Sequence, residues 1–129
     1  MSKEDIEKQV KQARRVVRER ETLFRGEKQF PAVRGKSVIV VDDGLASGYT
    51  MAEAVGFLEK KGAGKIILAV PTAPRSTVEF LLPRVDEVYC PNIRSRYPFA
   101  VAQAYEYWYD VPDEEVLSLM KTSEGDTRL

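Results

Sequence analysis

Apolar residues recur along this chain with two different periods. From residue 2 to about 25, Ile6, Val10, Ala13, Val17 and Phe24 fall at spacings of four, three, four and seven. That spacing sets them on one stripe of a long amphipathic helix, interrupted by Arg20. Ser2 suits the N-cap, Glu4 and Asp5 suit the first turn, and Gly26 is placed to stop the helix. The stripe is expected to pack on this domain or on a second copy. Beyond a connector the pattern changes. Val38 to Val41 are four consecutive apolar residues, which predicts a strand buried on both faces. A helix is expected from about Thr50 to Lys61, with Met51, Ala54, Val55 and Leu58 inward, closed by Gly62-Ala63-Gly64-Lys65. Ile66 to Val70 reads as a second strand, Ser76 to Leu82 as a short helix and Asp86 to Cys90 as a third strand. Pro91 to Pro98 is a loop, and Phe99 to Tyr109 is aromatic-rich and ambiguous between helix and irregular structure. Pro112 opens a last helix to about Lys121, with Val116, Leu119 and Met120 inward and residues 122–129 frayed.

Strand–helix alternation of this kind implies parallel pairing with right-handed crossovers. The expected fold class is therefore α/β, a partial doubly wound parallel sheet of about three strands preceded by a long helix. The expected division is residues 1–26 for the helix and 27–129 for the α/β domain.

Composition removes several kinds of chemistry. With no histidine and one cysteine, Cys90, the familiar zinc sites and Ser-His or Cys-His nucleophiles cannot be built, and an internal disulfide is excluded. Any metal would be held by oxygen, which favours Mg²⁺ carried on a phosphate ligand. No apolar run spans a membrane and no signal sequence is recognisable, so a cytoplasmic location is expected. Charge is balanced but unevenly placed. Residues 1–36 carry eleven Lys or Arg against six Asp or Glu, and residues 37–129 carry nine against fourteen. The basic face of the first helix (Lys11, Arg14, Arg15, Arg18) lacks interleaved aromatics, so solvated surface is the simpler reading and nucleic acid is not expected.

The chemistry concentrates after Val41. Asp42 and Asp43 stand at the carboxyl end of the expected strand, where ligands bind in open α/β sheets. The small-residue turn Gly44 to Gly48 leads into a helix whose first N–H groups are unpaired, an arrangement that suits a phosphate. Carboxylates that accept from sugar hydroxyls beside a phosphate cradle suggest a ribose-5-phosphate site.

The thirteen residues Val38-Ile-Val-Val-Asp-Asp-Gly-Leu-Ala-Ser-Gly-Tyr-Thr50 resemble the phosphoribosyl pyrophosphate (PRPP) signature of type I phosphoribosyltransferases. The resemblance implies that Asp42 and Asp43 hold the ribose hydroxyls and that Ala46, Ser47, Gly48, Tyr49 and Thr50 hold the 5′-phosphate. It implies Mg²⁺ bound with PRPP near Asp42 and Asp43, with no direct protein cage, and assigns no catalytic residue. Two positions depart from the pattern: Ala46 replaces the usual Thr, and Tyr49 a small residue. Arg18 to Met51 and Pro71 to Leu119 look like the carboxyl-terminal half of stand-alone members, through Phe24-Arg25-Gly26, Val85 to Val88 and Asp113 to Val116.

Full-length members carry an earlier portion with more strands and a pyrophosphate loop, and nothing before Val38 looks like it. The signature strand is therefore expected at a sheet edge, covered by the first helix, a second copy or a partner chain. The implied activity is transfer of ribose-5-phosphate from PRPP to an unidentified nitrogenous base. Arg14, Arg18 and Arg25 are candidates to assist the departing pyrophosphate. The alternatives are a non-catalytic ribose-phosphate-binding module and an α/β half-domain serving only assembly. A phospho-receiver is disfavoured because the strand Ile66 to Val70 ends without an Asp.

Overall fold

The computed structural model describes residues 1–96 and 99–125. The chain divides into two compact units, one of residues 1–31 and 109–129 and the other of residues 32–108.

The first unit contains helix α1 (Lys3–Arg25) and helix α4 (Asp113–Gly125). The α1 helix starts on a capping box. The Ser2 hydroxyl accepts from the Asp5 amide at 3.1 Å, and the Asp5 carboxylate accepts from the Ser2 amide at 2.9 Å. The bond from the Ser2 amide, joined by one from the Ser2 hydroxyl at 2.8 Å, favours the ionised form and holds the Asp5 carboxyl below its ordinary range. Gly26 follows the helix, and its amide donates to the Thr22 carbonyl. None of the residues of α1 is buried. The α4 helix runs past Lys121 to Gly125, so residues 122–125 are helical rather than frayed, and the remainder of that expectation, 126–129, lies outside the described residues. Leu119 and Met120 are exposed rather than inward, and only Val116 of the expected trio is half-buried.

The second unit is the α/β body. Its elements are β1 (Ser37–Val41), α2 (Tyr49–Lys60), β2 (Lys65–Ala69), β3 (Thr72–Pro74), α3 (Arg75–Leu81), β4 (Glu87–Tyr89) and β5 (Asn92–Arg94). Short 3₁₀ turns occupy Leu82–Arg84 and Val101–Ala104. Strands β1, β2 and β4 form a parallel sheet in that order, with Val38 opposite Ile66, Val40 opposite Leu68 and Leu68 opposite Val88. That face is the covered one. Leu68 lies in one cluster with Met51 of α2 and with Val78 and Leu81 of α3, and Val40 and Val88 pack against it.

The other face corrects the reading of β1 as buried on both sides. Ile39 is 62% exposed and Val41 71% exposed, and Tyr89, in line with Val41 through Ala69, is exposed too. A strand becomes continuously apolar when both sheet faces carry helices. Here the sequence has that composition, while Ile39, Val41 and Tyr89 are exposed on the other face. β1 is also an edge, since among the described residues β2 is its one strand partner.

The second sheet was not expected. β3 and β5 pair in parallel, Thr72 opposite Asn92 and Pro74 opposite Arg94. Each follows another strand across a proline, Pro71 after β2 and Pro91 after β4. Proline offers no N–H to a ladder, so it ends one run of pairing and lets the next begin at a new angle. Three-residue strands flanked by proline carry no legible alternation, which is why neither is recognisable as a strand from its residues.

Candidate functional site

The site is built where β1 hands over to α2. Asp42 and Asp43 follow the last residue of β1 and both are exposed, so their carboxylates face solvent. An Asp42 carboxylate oxygen accepts from the Asp43 amide at 2.9 Å, which fixes the first side chain over the start of the turn. Asp43 behaves differently. Partial loss of hydration, and then the neighbouring Asp42 charge, push its carboxyl above the ordinary range. Among the described residues neither carboxylate is in an ion pair, so each keeps acceptor capacity for a ligand beyond the bond between the two.

The turn is held from below by residues that a solvent-facing loop would not predict. Leu45 points into the core at 4% exposure, and its amide donates to the Thr72 carbonyl at 3.0 Å. The Thr77 hydroxyl of α3 donates to the Ala46 carbonyl at 2.5 Å. Tyr105, just after the second 3₁₀ turn, donates from its hydroxyl to the Asp43 carbonyl. Carbonyls along the turn are thus turned inward and bonded.

Two glycines are required by space. A Cβ at Gly44 would lie 2.6 Å from a Val101 methyl and 3.0 Å from the Thr72 methyl. A Cβ at Gly48 would lie 2.7 Å from the Thr77 methyl, and Gly48 has a φ of 83°, which favours glycine in any case. Gly48 is the N-cap of α2 and supplies no side-chain hydrogen bond. The first-turn N–H groups of a helix have no partner within it, so the amides following Gly48 remain available, at the positive end of the helix dipole.

The turn and its helix therefore present donors beside two acceptor carboxylates. Comparison with known proteins decides the family. Residues 2–104 match the pattern that defines the phosphoribosyl transferase domain. The chain belongs to the phosphoribosyl transferase domain family.

Two relatives, one from each of two strains of Mycobacterium tuberculosis, are named provisionally as phosphoribosyl transferases. Each is 33% identical over 116 residues, which is 90% of this chain and 26% of the relative. This chain thus spans about a quarter of the length of those relatives. The crystal structure of TT1426 from Thermus thermophilus is similar in fold, with a TM-score of 0.77 and 29% identity over 92% of this chain and 57% of that one.

Within this phosphoribosyl transferase domain, every residue assigned to the phosphate lies on one continuous segment. Ala46, Ser47, Tyr49 and Thr50 are exposed, and Gly48 is buried beneath them. The Tyr49 ring, the departure most able to obstruct the turn, lies edge-on to Phe80 of α3, with centroids 5.5 Å apart. It forms a wall rather than a plug. Ala46, Ser47 and Tyr49 open with Ser76, Thr77, Phe80 and Phe99 onto a cavity of about 500 Å³.

The aromatic segment divides into separate roles. Tyr105 packs edge-on against Trp108 at 5.2 Å and clamps the turn. Tyr107 is 83% exposed. In the other unit, Tyr109 donates to the Glu115 carboxylate at 2.7 Å, and that bond raises the phenol above its ordinary range.

Sequence reasoning missed Leu45, Thr77 and Tyr105 as supports. A single apolar residue between Gly44 and Ala46 was a usable signal for Leu45. Nothing local marks the other two, because their partners lie 31 and 62 residues away. Thr72 is also unforeseen. It is 1% exposed, and its hydroxyl has no hydrogen-bond partner among the described residues.

Proposed function

We propose that this chain binds PRPP or a nucleoside 5′-monophosphate at the turn from Asp42 to Thr50 and works in transfer of ribose-5-phosphate to a nitrogenous base. One observation carries the reading: two exposed carboxylates outside any ion pair stand one short turn ahead of a helix N-terminus that has no side-chain cap, in strand–turn–helix order within the matched domain. Ionised carboxylates are acceptors only and suit vicinal hydroxyls, whereas the unpaired amides suit the phosphate. Neither group could serve the other's part.

Mg²⁺ fits this donor set. Among the described residues no cluster of three or more metal-binding side chains exists, and the oxygens on offer are those of Asp42 and Asp43. Mg²⁺ favours hard oxygen ligands and keeps part of its shell as water and phosphate oxygen, so a ligand-borne ion near two carboxylates suits it. Once bound with PRPP, it would neutralise charge gathering on the departing pyrophosphate. The chain's own contribution is positional. The carboxylates orient the sugar, the amides fix the 5′-phosphate, and Leu45 and Thr77 keep the turn rigid so that C1 is presented to the attacking base nitrogen. In that exchange the C1–N bond forms as the C1–O bond to pyrophosphate breaks. The single cysteine and this nucleotide chemistry accord with a cytoplasmic setting.

Titration calorimetry with Mg·PRPP tests the reading. Wild type is expected to bind, and the double substitution Asp42→Ala and Asp43→Ala to lose at least about a hundredfold in affinity, roughly two hydrogen bonds to charged groups. Its melting temperature should stay unchanged, because both side chains are exposed. Equal affinity in the double variant would refute the assignment.

A second reading is favoured by extent. The chain spans only part of its relatives, so donors for the pyrophosphate could belong to a further portion. On that view this chain is a ribose-phosphate-binding module without turnover. Pyrophosphate release with a panel of bases separates the two: release supports transfer, and tight binding without release supports the module.

A further inference from the structure

Helix α1 is 23 residues long, has no buried residue, and leaves Ile6, Val10 and Val17 exposed together with Val16 and Leu23. The spacing of Ile6, Val10, Ala13 and Val17 is four, three and four, the seam pattern of a two-stranded coil. Alongside it a shallow groove of about 520 Å³ is lined by Glu4, Ile6, Glu7, Val10, Lys11 and Arg14.

We propose that this stripe is an interface between two copies of the chain, with their α1 helices paired antiparallel about a two-fold axis between Val10 and Ala13. Apolar pattern and charge both select that occupant and that direction. In this register Ile6 faces Val17 of the second copy and Val10 faces its Ala13, which gives four layers by symmetry. The residues following Ile6 and Ala13 flank the seam, and they are Glu7 and Arg14. The same register sets Glu7 beside Arg14 of the second copy, and the two-fold repeats the pair. The opposite flank matches Gln9 with Val16 and carries no charge.

A parallel pairing fares worse. It stacks Arg20 on its own counterpart in the seam and sets Gln9 beside Arg14 and Val16 beside Glu21, with no complementary pair. In the antiparallel arrangement Lys3 and Arg20 meet only at the seam ends, where long side chains reach solvent.

The state of the charges within one chain fits the proposal. Arg15 pairs with Glu19 at 3.5 Å and Arg25 with Glu21 at 2.6 Å, both on α1. Among the described residues, Glu7 and Arg14 have no ion-pair partner and are available across the seam. Four layers make a short seam, so the dimer is expected to dissociate on dilution.

Sedimentation equilibrium of the full chain over a range of concentrations is the test. Wild type should show a reversible monomer–dimer equilibrium. Glu7→Arg alone and Arg14→Glu alone each turn two attractions into two repulsions, and each should weaken association by about tenfold or more. The double variant E7R/R14E exchanges the signs and should recover most of the loss. Circular dichroism on every variant should give wild-type helicity. A monomer at all concentrations would overturn the proposal, as would a double variant no better than the singles. So would a dimer indifferent to both reversals, which would move the contact to the open face or edge of β1.

Discussion

The turn from Asp42 to Thr50 and the helix α1 are equally prominent in the sequence but are held in opposite ways. The turn is tied from several directions: Leu45 in the core, Thr77 on the Ala46 carbonyl, Tyr105 on the Asp43 carbonyl, and Thr72 and Val101 against Gly44. Helix α1 buries no residue, and its side-chain bonds are local ones, within the capping box and between neighbouring turns. A binding turn has to be rigid before the ligand arrives, because ordering it afterwards would cost affinity. An amphipathic helix with a free face has the opposite character. Most helical stability in proteins comes from packing that face, so its strength is set by what it meets.

The contrast can be broken first in the core. Leu68→Ala removes a side chain only 1% exposed that anchors the sheet beneath the turn, and should cost about 2–5 kcal/mol in denaturant unfolding. Leu119→Ala on the exposed side of α4 should stay within about 0.5 kcal/mol by the same measurement. Similar costs for the two would show that the second unit is not the better-packed one.

A smaller effect sharpens the account of the turn. Gly48→Ala places a Cβ against the Thr77 methyl in a backbone conformation that alanine rarely adopts, and should cost about 1–3 kcal/mol of stability. It should also weaken ribose-phosphate binding, because the α2 amides are displaced. Ser2→Ala removes the hydroxyl of the α1 capping box and should cost only about 1 kcal/mol, read as faster amide exchange in the first turn and with ligand affinity unchanged.

The smallest effect concerns protonation. The Asp43 carboxyl is held above its ordinary range by desolvation and then by Asp42. The ionised form is the stronger acceptor for two hydroxyls, so affinity should be full above that raised pKa. It should fall as pH drops through it, at a higher pH than for an ordinary aspartate. Carboxyl carbon NMR of Asp43 should follow the titration directly. Asp42→Asn should move the midpoint down by removing the second cause; an unmoved midpoint would leave desolvation as the whole cause.

Much of this protein was legible in its residues. The periodicity of Ile6 to Phe24 and the capping sequence Ser2 to Asp5 describe a helix whose signals are all within a turn or two of one another. The run Val38 to Val41, the acidic pair and the glycine-bearing turn identified strand and family and marked the candidate site, because those residues sit on one uninterrupted segment. What local pattern could not decide was which contacts form at a distance. Composition made β1 suitable for burial on both faces, but burial belongs to the assembled sheet, and there one face is open. The strands β3 and β5 exist because proline bends bring two distant tripeptides side by side. The supports from Thr77 and Tyr105 likewise depend on α3 and the second 3₁₀ turn closing around the loop. Short-range spacing fixes backbone dihedrals and side-chain faces, whereas burial and long-range hydrogen bonds appear only once the chain has folded back on itself.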